Sequence, residues 1–377
     1  MNEKFLNQAV QFMDDLPYKK SPFNGRNWGH AWHSLCSYHG KLKPAIAHFL
    51  ISYFTKPGDI VLDPLCGVGT IPFEASLQGR TGIGNDLSEL AFCVSKAKLE
   101  KPSLDKVQAA TKSLENYILA RLPQLSFDAT PYRDFGLNHT LKEYFHPDTY
   151  REIILAREYF YGRRNNLTPE DAIVFSCLLH VLHGNRPYAL SRTSHPLTPY
   201  APTGEYIYKN IIEHINDKIK LTYKCDSFAS YCSGQAIYGD FNDLNGINAD
   251  AIITSPPFAD SFKFYSQNWM RLWLCGWEPD DFRTANAKFL DDKQNTNFDI
   301  YYSFFEMCYR NLKTNGIVIL HLGKTAKFDM AKELSFRAKK LFDIVYIGTE
   351  NVEDIEKHGI KDKGGTVAHQ FLFLQKK

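Results

Sequence analysis

The stretch from Gly58 to Glu74, GDIVLDPLCGVGTIPFE, constrains the fold more than any other part of the chain. Its apolar, β-branched run Ile60-Val61-Leu62 reads as a buried strand ending at Asp63. Gly67 and Gly69 then open a tight turn, and Ile71, Phe73, Glu74 and Leu77 carry helical spacing. Strand, glycine turn and helix form the repeating unit of an open α/β sheet, whose ligands lie beyond the carboxyl ends of the strands. The turn is therefore expected to floor a ligand site, because glycines let backbone approach closely and a helix N-terminus offers free N–H groups to a negative group. No Gly-Lys-Ser/Thr follows, so this is not a nucleotide-phosphate loop, and the spacing departs from the six-residue dinucleotide fingerprint.

At 377 residues the chain has room for one large α/β domain with a substantial insertion, or for two domains. Its 44% hydrophobic and 23% charged residues are ordinary for a soluble globular protein, and a net charge of +2 neither demands nor excludes nucleic acid. The 14% aromatic content suits a large core and also suits stacking on bases. Eight scattered cysteines without a CxxC pair argue against a disulfide framework or a zinc site, so a reducing cytosol is the expected compartment. The N-terminal residues lack an apolar signal core, and no run has the length of a membrane span.

In chain order, residues 1–24 read as a helical extension with Phe5, Val10 and Phe12 as its contacts. Pro44 sits well at the first turn of a helix whose apolar face is Ile46, Ala47, Leu50, Ile51 and Phe54. A second strand, Gly82 to Asn85, leads to Asp86, about twenty residues beyond the glycine turn, where an acidic side chain accepts from ribose hydroxyls or caps the next helix. The α/β alternation lapses from 101 to 232. There DKVQAATKSLENYILARL, PDTYREIILAREYFYG and PEDAIVFSCLLHVLHG have helical periodicity, the last with Thr168 as cap. A long proline-rich loop, HGNRPYALSRTSHPLTPYAPTGEYIYK, follows and offers Arg186, Arg192, His195, Tyr188 and Lys209 to phosphates or bases. From 233 the sheet resumes with a strand into Asp240, INADAIITSPPF, a run centred on Ile317 to Leu320, the KELSFRAKKLF helix, FDIVYIGT and TVAHQFLFLQKK. The charged, Gly-rich EDIEKHGIKDKGG is expected to be a mobile loop.

DPLCGVGT resembles the first motif of methyltransferases that use S-adenosylmethionine (SAM), above all those acting on exocyclic amino groups of DNA bases. That resemblance implies a Rossmann-like sheet with helices on both faces, divided into a SAM-binding half at 25–100, a helical insertion at 101–232 as candidate target-recognition region, and a catalytic half at 233–377. It implies SAM contacts from Tyr38 and Lys41, from Asp63, Pro64, Leu65, Cys66, Gly67, Gly69 and Thr70, from Asp86 and Leu87, and from Asp240 and Phe241 beside the adenine. His39, Gly40 and Lys43 lie in the same closing segment. His30, His33 and His39 lack a carboxylate or cysteine at ligand spacing, so no metal is expected.

Ser255-Pro256-Pro257-Phe258 is the most informative reactive signal. Two prolines after an apolar strand fix the backbone and remove two donors, leaving carbonyl acceptors facing outward. An exocyclic base amine is a poor nucleophile because its lone pair is delocalised into the ring. Ser255 Oγ and the Pro256 carbonyl, accepting its two hydrogens, would free that lone pair, while Phe258 stacks on a flipped-out base. Ser-Pro-Pro-Phe resembles the fourth motif of N4-cytosine DNA methyltransferases; adenine-N6 enzymes more often carry Asp or Asn at the serine. The expected activity is N4-cytosine methylation of a specific site in double-stranded DNA, of restriction-modification type, with a cognate endonuclease elsewhere. Alternatives are adenine-N6 methylation of DNA, guanosine-N2 methylation of RNA, and a SAM-binding protein without catalysis. Lys263, Tyr265 and Arg271 are further candidates for the target strand, while Trp269, Leu272, Trp273 and Trp277 read as core. Oligomeric state and recognition sequence have no signature here.

Overall fold

The computed structural model describes residues 3–25, 27–38, 40–135, 140–225, 227–260, 263–352 and 366–377. Among the described residues the strands are β1 (Ile60–Asp63), β2 (Thr81–Asp86), β3 (Gln235–Tyr238), β4 (Ala249–Thr254), β5 (Leu312–Thr325), β6 (Phe342–Asn351) and β7 (Thr366–Lys376). They form one sheet in the order β3-β2-β1-β4-β5-β7-β6. The pairs from β3 to β5 are parallel, and β7 runs antiparallel to both β5 and β6. This is the expected α/β sheet with Rossmann-like winding. Strand order reverses between β1 and β4, which opens a crevice at their carboxyl ends.

The helices are α1 (Glu3–Asp15), α2 (Pro44–Phe54), α3 (Thr70–Leu77), α4 (Glu89–Leu99), α5 (Leu104–Arg121), α6 (Pro147–Tyr161), α7 (Pro169–Val181), α8 (Ile211–Tyr223), α9 (Phe264–Gln267), α10 (Trp269–Leu274), α11 (Pro279–Thr284), α12 (Leu290–Thr296), α13 (Ile300–Asn311) and α14 (Met330–Ala338). Pro44 and Pro169 do stand at first turns, and Thr168 Oγ1 accepts from the Asp171 N–H as the cap of α7. On α1 the buried contacts are Phe5, Ala9, Phe12 and Met13, one helical stripe that leaves the expected Val10 only partly covered. The sequence reading lacked α8, whose Ile211, Ile212, Ile215 and Ile219 make an apolar face, and α13.

Alternation along the strands divides the core. Val61, Ala251, Ile253 and Ile319 face α1, α2 and α3, whereas Leu62, Ile252, Val318 and Leu320 face α13 and α14. A third cluster joins α4 to α5 through α8 and takes in Trp269, Leu272, Trp273 and Trp277, which are core as expected. The segment 353–365, read as a mobile loop, lies outside the described residues. No described helix is long and apolar enough to cross a membrane.

Candidate active site

The crevice at the switch point is a cavity of about 1190 Å³. One wall is the turn after β1. Gly67 and Gly69 have φ of 52° and 69°, in the left-handed region that disfavours a side chain. The Gly67 N–H donates to Asp86 Oδ2 at 2.8 Å, and the other carboxylate oxygen takes the Ser88 N–H at 2.9 Å. Asp86 thus ties the end of β2 to the glycine turn and lines the cavity. Burial pushes its carboxyl up to about 6, against the pull of those two N–H bonds.

Asp63 is 2% exposed, and burial raises it to about 7 although Thr254 and the Leu65 N–H oppose the shift. Helix α4 braces the turn from behind: Ser95 Oγ donates to the Gly67 carbonyl at 2.8 Å and Lys98 Nζ to the Val68 carbonyl at 2.5 Å. Lys98 is fully buried, and burial lowers it to about 7. Asn85 Nδ2 bridges the Pro64 and Gly239 carbonyls, joining the turns after β1 and β3. Sequence reasoning missed these three braces, although a lysine on an apolar helical face was a legible signal.

Tyr38, Lys41, Asp63, Leu65, Cys66, Gly67, Thr70, Asp86, Leu87, Asp240 and Phe241 line this cavity. Pro64 and Gly69 do not: the Pro64 carbonyl is spent on Asn85, and Gly69 sits beneath the turn as the residue before α3, where a Cβ would lie 2.9 Å from Ser95 Oγ. Lys41 Nζ is bound to the His33 carbonyl at 2.7 Å. Asp240 Oδ1 accepts from the Asn242 backbone and side chain, both at 2.9 Å. Cys66 is buried against Ser95, which fits a packing residue. His33 Nε2 meets the buried Glu74 at 2.7 Å, and His48 Nδ1 meets the same carboxylate at 3.1 Å. The described residues hold no metal-binding cluster, and His39 lies outside them.

Ser255, Pro256, Pro257 and Phe258 line the same cavity from the end of β4. Ser255 Oγ lies 3.1 Å from Nδ1 of His321, a β5 residue that is itself part of the lining. Among the described residues no donor reaches the Pro256 carbonyl, whereas the Pro257 carbonyl accepts from Gln294 Nε2 at 2.9 Å. Gln294 is 1% exposed and is held in turn by the Tyr301 hydroxyl at 3.0 Å. The double-proline turn is therefore pinned by one carbonyl while the other stays open. Phe258 packs against His321 and His369, with ring centroids 5.5 and 5.9 Å away, and over Gly323. Beyond it the cavity runs to Phe23 and Trp28 and to Glu350, which bonds Tyr18 and Lys19.

The candidates for nucleic-acid contact divide. Arg186 and His195 are exposed on the 184–209 loop, but His195 Nδ1 caps the loop by accepting from Leu197 and Thr198 N–H groups. Arg192 donates to the Gly204 and Glu143 carbonyls and to Tyr206, so its guanidinium is largely engaged within the loop. Lys263 is exposed and paired with Asp292 at 2.9 Å. Tyr265 and Arg271 are corrected: both are buried. The Tyr265 hydroxyl donates to Asp292, and the Arg271 guanidinium donates to the carbonyls of Leu179, Leu197 and Pro196 at 3.0, 3.4 and 3.2 Å. Arg271 is thus an internal clamp holding the proline-rich loop to α7 and α10.

Comparison with known proteins bears on part of this site. Residues 14–96 match the family model described as DNA methylase. The Type II methyltransferase M.MjaII of Methanocaldococcus jannaschii is 29% identical over 76 residues, which are 20% of this chain and 14% of that protein. Among solved structures, TrmN from Thermus thermophilus aligns with a TM-score of 0.36 at 12% identity, over 92% of this chain and 52% of its own. A TehB-like SAM-dependent methyltransferase from Corynebacterium glutamicum aligns with a TM-score of 0.32 at 10% identity over the whole of both chains. The family match takes in Tyr38, the glycine turn and Asp86, and ends well before Ser255.

Proposed function

We propose that this chain is a SAM-dependent methyltransferase that methylates an exocyclic amino group of a DNA base, and that the base is cytosine, modified at N4 after flipping out of the duplex. The observation that carries the reading is the single cavity whose lining includes Asp86, Gly67 and Asp240 together with Ser255, Pro256 and Phe258. Its volume exceeds the usual span of about 300–1,000 Å³ for one small-molecule pocket, leaving space for two ligands side by side.

The cofactor is SAM, and the residues present fit it. Asp86 has used one lone pair of each oxygen on backbone N–H groups and keeps the remainder for ribose hydroxyls. Gly67 presents bare backbone to the cavity beside Tyr38. Asp240 and Phe241 suit the adenine edge and face. When bound, SAM supplies an electrophilic methyl group on a sulfonium centre.

The chain's own part is to position and to accept. Ser255 Oγ and the open Pro256 carbonyl accept the two amine hydrogens, drawing the nitrogen lone pair out of conjugation, while Phe258 stacks on the ring. Gln294 keeps the turn rigid through Pro257. The helical insertion and the exposed Arg186 are proposed to meet the duplex around the extruded base. Site-specific modification of restriction-modification type, with a separate endonuclease as partner, belongs to the same proposal.

The test is methyl transfer from labelled SAM to unmethylated genomic DNA and, separately, to bulk RNA, with the nucleosides identified by mass spectrometry. N4-methylcytosine in DNA is expected. N6-methyladenine would overturn the base assignment, label only in RNA would overturn the substrate class, and SAM binding with no transfer would remove the enzymatic reading. Ser255→Ala is expected to lose most turnover while keeping SAM affinity.

A further inference from the structure

We infer that His321 is a positioning residue for the Ser255 hydroxyl: its Nδ1 accepts the Ser255 O–H, which leaves the oxygen only lone pairs to present to the target amine. The inference rests on the reading of Ser255 given above. A serine hydroxyl can donate one hydrogen bond and accept two, and its proton rotates to suit its surroundings. An acceptor facing an amine N–H therefore needs its own proton held elsewhere. Left free, that proton can turn toward the amine and oppose it with like polarity.

His321 supplies the place. It lies on β5, directly beside β4, with Nδ1 3.1 Å from Ser255 Oγ, and both residues line the cavity. The ring is 3% exposed and is fixed by packing rather than by a second hydrogen bond. Its centroid lies 5.5 Å from that of Phe258, 5.0 Å from His369 and 5.0 Å from Phe371. Nε2 is buried without a partner among the described residues, so no carboxylate stands behind the imidazole to draw a proton through it. Burial, with a further contribution from His369, holds the imidazole well below its ordinary range, so it is neutral and able to accept. The same packing places His321 against the ring proposed to stack on the base. One side chain thereby sets both the polarity of the acceptor and the seat of Phe258.

The experiment is a double-mutant cycle on the full chain, with single-turnover transfer from labelled SAM to its DNA substrate. His321→Leu keeps the packing and removes the acceptor. It is expected to lower the transfer rate about tenfold, the scale of one lost hydrogen bond, with unchanged SAM affinity. His321→Asn, whose Oδ1 can stand where Nδ1 stood, is expected to recover most of the rate. In a Ser255→Ala background, His321→Leu should add no further loss, because the hydroxyl it orients is gone. An equal loss in both backgrounds would show that His321 acts only by packing and would overturn the inference; so would a wild-type rate for His321→Leu when Ser255→Ala is inactive. Ring-nitrogen NMR of the unmutated protein gives a readout independent of any variant's folding: a protonated Nε2 and bare Nδ1 are expected, and a protonated Nδ1 refutes the assignment. If Ser255→Ala itself turns over like wild type, the failure lies in the acceptor reading, and the role assigned to His321 falls with it.

Discussion

Replacing Gly323 by alanine probes the seat of the stacking ring from behind. Gly323 lies on β5 opposite His369 of β7, and a Cβ placed on it would fall 2.5 Å from Cδ2, 2.6 Å from Cγ and 3.0 Å from Cβ of Phe258. The first two approaches are shorter than any carbon contact tolerates, and the added methyl lies against the near side of the ring rather than its tip. Either the strand shifts or Phe258 moves. Gly323 is held in the sheet by its pairing with His369 of β7, three residues past the last β4 pairing at Leu320, whereas Phe258 borders the cavity and is only partly buried, so the ring is the part that yields. Overpacking costs about 1–3 kcal/mol, and an open side puts this site at the lower end, about 1 kcal/mol of folding stability. The catalytic cost is larger. Stacking on an aromatic ring is worth about 1–3 kcal/mol per base, so displacing Phe258 is expected to reduce turnover roughly tenfold or more. The assay is steady-state transfer from labelled SAM, with SAM binding measured by calorimetry as control. Turnover should fall, KM for DNA should rise, and SAM affinity should hold. Wild-type turnover in Gly323→Ala would refute the reasoning. So would an undiminished effect of Gly323→Ala on top of Phe258→Ala, because no ring is then left to displace.

Two further expectations concern the cofactor wall and the loop clamp. Because burial raises Asp86 to about 6, its carboxylate is present at pH 7.5 and lost as pH falls through about 6. SAM affinity should therefore drop between about pH 7 and pH 5, and Asp86→Asn should bind more weakly but with a flat profile; a flat wild-type titration by calorimetry would exclude Asp86 as the ribose acceptor. In the SAM-free protein the sign is that of a raised carboxyl pKa: this group's contribution to stability is present below about pH 4 and lost as pH rises through about 6. Arg271→Leu strands three carbonyls and leaves Thr198 and Pro199 as the remaining ties of this loop to α9 and α10, so a loss of about 3 kcal/mol or more is expected in chemical denaturation. A variant with unchanged denaturation midpoint would restore Arg271 as a candidate for surface contact.

The cavity wall assigned to the cofactor was legible because it is local. Asp63, Cys66, Gly67 and Thr70 sit on one turn, and Asp86 follows on the next strand, so one motif and one spacing place them together. The strands were legible for a related reason: each is a short apolar run whose alternate residues fill opposite faces of the sheet. The wall proposed to face the target base is different. Ser255 meets His321 across 66 positions, Pro257 meets Gln294 across 37, and no periodicity links such pairs. Arg271 shows the complementary error. A cation among aromatic residues reads as a surface contact for nucleic acid, yet the three carbonyls that claim it belong to α7 and the proline-rich loop, more than seventy positions away. Helix α8 was overlooked because its four isoleucines follow a long irregular loop without a strong stop signal, although Asn210 does cap it.

The switch point between β1 and β4 also sets an order of assembly. The Ile60 N–H donates to the Asp250 carboxylate across 190 positions, and the intervening chain includes the whole helical insertion. Closing so long a loop adds only about 0.6 kcal/mol per doubling of its length, so the equilibrium cost is modest. The kinetic consequence is greater, since pairing between strands so distant in sequence is intrinsically slow. During synthesis the glycine turn and Asp86 emerge first, and β4 with its Ser-Pro-Pro-Phe turn only after the insertion. Until β4 docks beside β1 the crevice has one wall. The two walls of the cavity are therefore brought face to face only when the sheet closes, which makes the cavity a product of completed folding rather than a feature of either half.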